Sequence, residues 1–120
     1  IQADYHNFDA GYKAMKELLL LKELPTAVFA FNDDIAIGAM KAVRDVGLSV
    51  PDDISFIGFD NVDIASYCYP PLTTIQQDRF QIGQIAAQTI LNAIDNNDIE
   101  YGQIRVPTEL IIRNSVAKTK

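Results

Sequence analysis

The sequence predicts an α/β protein, a parallel sheet flanked by helices. Three observations carry that expectation. Short apolar segments rich in strand formers alternate with longer segments at helical spacing, the pattern of strand–helix–strand units with right-handed crossovers. The segment Thr26–Phe31 is apolar nearly throughout, as a strand covered on both faces is, and Ile54–Phe59 reads as the next buried strand. Each of the two runs into an acid–amide cluster, Phe31-Asn32-Asp33-Asp34 and Gly58-Phe59-Asp60-Asn61. In open parallel sheets ligands bind just beyond the carboxyl ends of the strands, so both clusters are expected to face one crevice.

Taken in order, Asp9–Glu23 reads as a helix with Asp9 at its N-cap and Pro25 beyond its end. Tyr12, Met15, Leu18 and Leu19 supply its apolar face. After the strand 26–31, Asp33 or Asp34 caps a helix that runs to Val46, and Gly47 fits the left-handed position past its end. Ile35, Ala36, Ile37, Ala39, Met40, Ala42 and Val43 cover more than one stripe of this helix. That predicts burial on two sides, against the sheet and against a partner subunit. Val50-Pro51-Asp52-Asp53 reads as a turn, 54–59 as a strand, and 61–69 as a short helix stopped by Pro70-Pro71. Leu72–Ile75 reads as a third strand. Asp78–Ile94 reads as a long helix with a stripe of Gly83, Ala86, Ala87, Ile90, Leu91 and Ile94. Asp95–Asp98 is expected to be a loop, followed by strands Gln103–Val106 and Leu110–Arg113 around Pro107.

The bulk properties narrow the function. A chain of 120 residues with 48% hydrophobic and 22% charged residues is one globular domain or part of one. With a net charge of −6 and no Lys/Arg run, this segment would be repelled by nucleic-acid phosphates. The single cysteine, Cys68, forms no internal disulfide and agrees with a reducing compartment. Residues 1–12 lack the basic start and apolar core of a signal peptide, and the chain opens without Met, as an excised piece does.

Several residues could carry chemistry. The amide of Asn32 can donate to one hydroxyl and accept from another; the plainer reading is a turn residue bonding its own backbone. The carboxylate of Asp60 can accept from two adjacent hydroxyls, as a sugar presents, or cap the segment after it. Gln77 can reach the same crevice or lie exposed before Asp78, which caps the long helix. Tyr5, His6 and Phe8 form an aromatic group suited to stacking on a sugar or base, or to packing on Tyr12 or Met15. Asp60-Asn61-Val62-Asp63 begins like a calcium loop but lacks its glycine and distal Glu. Asp33-Asp34 and Asp52-Asp53 read better as capping and turn residues. No nucleophile elbow or phosphate loop occurs, and Cys68 between Tyr67 and Tyr69 has no basic neighbour. An Asp33/Asp60 acid–base pair is the one enzymatic alternative.

The pieces PTAVFAFNDDIAIGAMKAVRDVGLSVPDDISFIGFDN, PPLTTIQQD, IGQIAAQTIL and VPTELIIRNS, spread over residues 11–115, resemble the C-terminal part of the effector-binding core of LacI/GalR family transcriptional regulators. The resemblance implies a type I periplasmic-binding-protein-like fold. Residues 1–76 would form the C-terminal effector-binding subdomain, 77–98 a helix crossing to an N-terminal subdomain, and 99–120 the return strands. It implies a sugar or sugar derivative as effector, with Asn32, Asp60, Gln77 and Tyr5 as contacts. Arg79 stands where some relatives have an aromatic. The resemblance also implies a homodimer formed through Ile35, Ile37, Ala39, Met40, Val43, Tyr67 and Tyr69. DNA would be bound only through a separate head, in the cytoplasm, with no cofactor, metal or catalytic residue. The rival reading is a periplasmic or lipid-anchored sugar-binding protein of a transport system. The apolar stripe on 78–94 is expected to need cover, from a second copy of the chain or by exchange of this helix.

Overall fold

Asn7, rather than Asp9, starts the first helix. Its backbone is extended and its side chain accepts from the Ala10 amide at 2.9 Å, so α1 spans Phe8–Leu18 and Asp9 sits in the first turn, where its charge suits the helix dipole. The computed structural model describes residues 6–96 and 102–118; Tyr5 lies outside them. Helix α1 ends short of the expected Glu23. Leu20 and Leu21 turn away in tight i→i+3 bonds and are exposed, so the face they would extend has nothing to cover.

The chain divides into two units, Ile1–Gln76 with Leu110–Lys120, and Gln77–Glu109. In the first, β1 (Ala27–Phe29) pairs in parallel with β2 (Ser55–Phe59), matching Ala27 to Ser55 and Phe29 to Ile57. Strand β2 pairs in parallel with β3 (Thr73–Gln77), matching Ile57 to Thr73 and Phe59 to Ile75. The four-stranded order is β1-β2-β3-β4, with β4 at Thr108–Ile111. Strand β1 was expected to be covered on both faces. It instead ends the sheet among the described residues, and Ala27 and Phe29 are exposed. An apolar run reports a preference for burial, not the presence of a neighbour.

Helix α2 (Asp33–Asp45) links β1 to β2, and its C-terminus is closed by Gly47 at φ 81°, whose amide donates to the Arg44 carbonyl. The core is built around it: Ala36, Ala39, Met40, Ala42 and Val43 are buried with Met15 of α1, Phe56 of β2 and Leu72. This corrects the expected partner interface at three positions. Ala39, Met40 and Val43 are buried within the chain itself, because α1 occupies the second apolar side of α2. Ile35 and Ile37 are half-buried; Tyr67 and Tyr69, at and just past the short α3 (Ile64–Tyr67), are exposed.

The second unit is carried by α4 (Arg79–Asn96). Asp78 accepts from the Gln81 amide at 2.9 Å, so it caps this helix as expected. Within the unit Ile90, Leu91 and Ile94 are exposed. The expected strand Gln103–Val106 is irregular, and of its residues only Val106 is partly covered. Of the expected loop 95–98, Asp95 and Asn96 close α4, and the other two residues lie outside the described part.

Candidate functional site

The register of the sheet places the two polar clusters side by side. Phe29 of β1 pairs with Ile57 of β2, and Asn32 and Asp60 stand at equal steps beyond that pair, on strands that neighbour each other at about 4.8 Å. Both residues are half-buried. Both readings of Asn32 bear on its role. Its side-chain oxygen accepts from the Ile35 amide at 3.0 Å, capping α2, while its Nδ2 makes one long donation to the His6 carbonyl at 3.5 Å. The capping bond fixes the amide in place and turns the nitrogen, with its second hydrogen, away from the helix. Asp60 is the first residue past β2. Its amide donates to the Ile75 carbonyl at 2.9 Å, and its φ is 102°, followed by Asn61 at 48°. Two consecutive non-glycine residues in the left-handed half of the map are strained, and such strain persists only where surrounding contacts impose it.

Those contacts come from residues that the sequence reading left as caps or did not single out. Asp33 is buried and its carboxylate is fully engaged: Oδ2 accepts from the Val62 amide at 2.8 Å, and Oδ1 accepts from the Thr74 hydroxyl at 2.5 Å. Gly58 makes room for it, since a Cβ there would lie 2.1 Å from Asp33 Oδ1. Asp33 therefore ties the start of α2 to the loop after Asp60 and to β3. It caps no helix by its side chain, and it is a pin under the site. From the other side, Arg113 donates to the Leu72 carbonyl and to Asn61 Oδ1, each at 2.7 Å, and Asn61 Nδ2 donates to Gln76 Oε1 at 2.7 Å. Buried Ser115 stitches the strands below, accepting from the Thr73 amide at 2.8 Å and donating to the Phe56 carbonyl at 2.6 Å. A signal for these residues was present in the sequence: Thr73-Thr74 in a buried strand and the Arg-Asn-Ser triplet both place polar groups where only partners make them tolerable.

Burial pushes the Asp33 carboxyl above the ordinary carboxylate range. The hydrogen bonds from Thr74 and Val62 oppose that, the nearby Asp60 adds to it, and Arg113 lowers it. A raised native pKa means that the folded state holds its proton more tightly than the unfolded chain. This group's contribution to stability is therefore fully present below the unfolded value and is lost as pH rises through the native one. Asp33→Asn has no such proton. Melting temperatures of the two proteins between pH 7 and pH 4 should diverge, with the wild type gaining on the variant as pH falls. A gap independent of pH would contradict the burial assigned to Asp33.

Among the aromatics, His6 stacks on Phe31 with centroids 4.2 Å apart and planes 22° apart. The pair stands beside Asn32, through the His6 carbonyl contact. An apolar groove of about 520 Å³ runs between α1 and β1, lined by His6, Met15, Phe29, Phe31 and Ile35 among others. It includes neither Asn32 nor Asp60, so the polar pair lies outside that groove. Gln77 ends β3 and begins the second unit. The Asp52–Asp53 segment is a turn, with Asp53 accepting from the Ser49 amide at 2.7 Å. No group of three or more metal-ligating side chains occurs among the described residues, and no helix there is long and apolar enough to cross a membrane.

Comparison with known proteins adds to this geometry. The periplasmic binding protein-like domain family matches residues 1–116. The HTH-type transcriptional repressor CytR of Escherichia coli (strain K12) is 46% identical over 108 residues, which cover 90% of this chain and 32% of that protein. The chain thus spans about a third of the length of such relatives. Among solved structures, a LacI family transcriptional regulator from Enterococcus faecalis V583 with bound ribose superposes with a TM-score of 0.89 at 38% identity, covering 100% of this chain and 44% of that one. The lac repressor dimer bound to operator and the anti-inducer ONPF superposes with a TM-score of 0.86 at 32% identity, covering 93% of this chain and 39% of that one.

Proposed function

The chain belongs to the periplasmic binding protein-like domain family, and from that premise we propose that it is the C-terminal part of the effector-binding core of a LacI/GalR-type regulator, which senses a small sugar and relays its presence to a DNA-binding head outside this chain. The observation that carries the reading is the pair Asn32 and Asp60 at equal height on neighbouring parallel strands. A carboxylate and an amide at that spacing suit adjacent hydroxyls, which a furanose ring presents. Ribose bound to a 38% identical neighbour supports the same ligand class. Gln77 and Tyr5 are proposed as further contacts.

The mechanism is a population shift. Sugar held by Asp60 and Asn32 favours the arrangement in which its remaining hydroxyls are also satisfied, and it moves the equilibrium by its differential affinity for the two arrangements and no more. None of these residues is asked to break a bond, so the sugar is expected to be recovered unchanged after incubation. Site occupancy is tested by a thermal-shift screen of the intact regulator against sugars, sugar phosphates and nucleosides. D-ribose or a ribose-bearing compound should raise the melting temperature by several degrees at a hundredfold excess over Kd, equivalent to about 2.7 kcal/mol. Flat curves across all three classes would refute the sensor reading.

Pairing of subunits is proposed through the face that carries Tyr67 and Tyr69, exposed at 83% and 79%, with the half-buried Ile35 and Ile37 of α2 as further proposed contacts. Two exposed tyrosines are suited to a protein contact, since each covers a large area with one polar tip. Tyr67→Asp should convert the dimer to monomer in sedimentation at micromolar concentration, with the effector site intact. A dimer unchanged by that charge would remove this face from the interface. A regulator that acts on DNA is proposed to work in the cytoplasm.

A further inference from the structure

The chain leaves the first unit after Gln76 and rejoins it at Leu110, so Gln76 and Arg113 stand near those two points. Both side chains converge on one residue. Asn61 donates through Nδ2 to Gln76 Oε1 at 2.7 Å and accepts through Oδ1 from Arg113 Nη2 at 2.7 Å, while its amide donates to the Thr74 hydroxyl at 3.4 Å. It is also the residue next to Asp60, and it holds a φ of 48°. Arg113 is itself locked, since its second guanidinium nitrogen donates to the Leu72 carbonyl at 2.7 Å and its amide donates to the Thr73 hydroxyl at 2.9 Å. Both ends of the Asn61 amide are thus used, one on the outgoing strand and one on the returning segment. A carboxamide can donate to a glutamine oxygen from one end and accept from a guanidinium at the other, spanning the two partners. An aspartate there would repel the Gln76 oxygen.

We infer that Asn61 is a positioning residue that couples the Asp60 loop to the two strand ends through which the chain leaves and re-enters the first unit. This deepens the sensor reading and rests on it for the identity of the ligand, although the coupling itself is a property of the unliganded chain. Displacement of the Asp60 backbone on taking up sugar passes to Asn61, and through its amide to Gln76 and Arg113 together. Conversely, loosening either strand end releases the left-handed pair 60–61, which Asp33 then holds only from the Val62 side.

The test is native-state hydrogen exchange on the intact protein. Asn61→Gly keeps access to the left-handed backbone and deletes only the amide; Gln76→Ala and Arg113→Lys each remove one arm without touching the loop. In the absence of ligand, all three should speed exchange of the Asn61 and Val62 amides at least tenfold, with Phe56 and Val43 changed less than threefold. Loop exchange unchanged in Asn61→Gly and Gln76→Ala would overturn the inference. So would a uniform rise through the core, which would make Asn61 a fold-stabilising residue only. With saturating D-ribose, the wild type should gain protection at residues 76–79 and 110–113, and Asn61→Gly should bind ribose without gaining it. Equal protection in both proteins overturns the coupling. If no protein binds ribose, the ligand class falls, and the ligand-free exchange still decides the coupling.

Discussion

Asp60→Gly is expected to lower the affinity of the intact regulator for its sugar by about 2–4 kcal/mol, roughly thirtyfold or more, by removing charge-assisted hydrogen bonds to adjacent hydroxyls. Glycine is the informative replacement. At φ 102° an alanine adds backbone strain to the loss of the carboxylate, whereas glycine takes that conformation freely. The melting temperature of the variant sets the backbone strain relieved, about 1 kcal/mol, against what the carboxylate contributes to the fold. Calorimetric titration and a melting curve on the same samples check both halves. Affinity within threefold of wild type would remove Asp60 from the site. A large fall in stability would show that the carboxylate is needed chiefly by the fold.

Gly38→Ala is expected to be the most damaging single methyl group in the chain. A Cβ on Gly38 would lie 1.9 Å from the Phe8 carbonyl oxygen and 2.7 Å from its carbon. On the opposite helix, a Cβ on Gly11 would lie 2.1 Å from the Ile35 oxygen. Helices α1 and α2 thus cross with backbone against backbone, and the obstacle is main chain that no rotamer change can move. Forcing them apart should cost about 3 kcal/mol and lower the melting temperature by roughly 10 °C for a chain of this size. Gly83→Ala is the control, since nothing lies within 4 Å of a Cβ there and alanine is the better helix former. Because α1 delivers His6 and α2 delivers Asn32 and Asp33, Gly38→Ala should also disturb the mouth of the site. Chemical denaturation of the three proteins is sufficient; a Gly38→Ala loss below 1 kcal/mol would contradict the close crossing.

The strand–helix alternation, the left-handed Gly47 and the strand-end positions of Asn32 and Asp60 were all legible in the sequence, because each depends on local chain chemistry. What depended on distant partners was not. Asp33 looked like one more helix-capping acid; that it is buried follows from Gly58, Val62 and Thr74, which reach it only once the parallel register is set. Arg113 acts on Asn61 across 52 positions of chain, and no local pattern announces it. The apolar circumference of α2 was read as a partner interface at Ala39, Met40 and Val43 because periodicity counts buried sides without saying what buries them. Gly11 and Gly38 were the overlooked clue, since a glycine in an apolar helix face marks a close approach. Strand β1 was expected to be covered on both faces for the same reason: its composition favours cover, yet Ala27 and Phe29 are exposed.

Sugar sensing by this chain requires Asn32 and Asp60 to grip the same ligand. A crystal structure of the intact regulator grown with D-ribose tests it most directly. The expected density shows the sugar across the carboxyl ends of β1 and β2, with two neighbouring hydroxyls on the Asp60 carboxylate and one on Asn32 Nδ2, all within hydrogen-bonding distance. Sugar bound in the groove between α1 and β1, or anywhere that leaves Asp60 facing solvent, would contradict it.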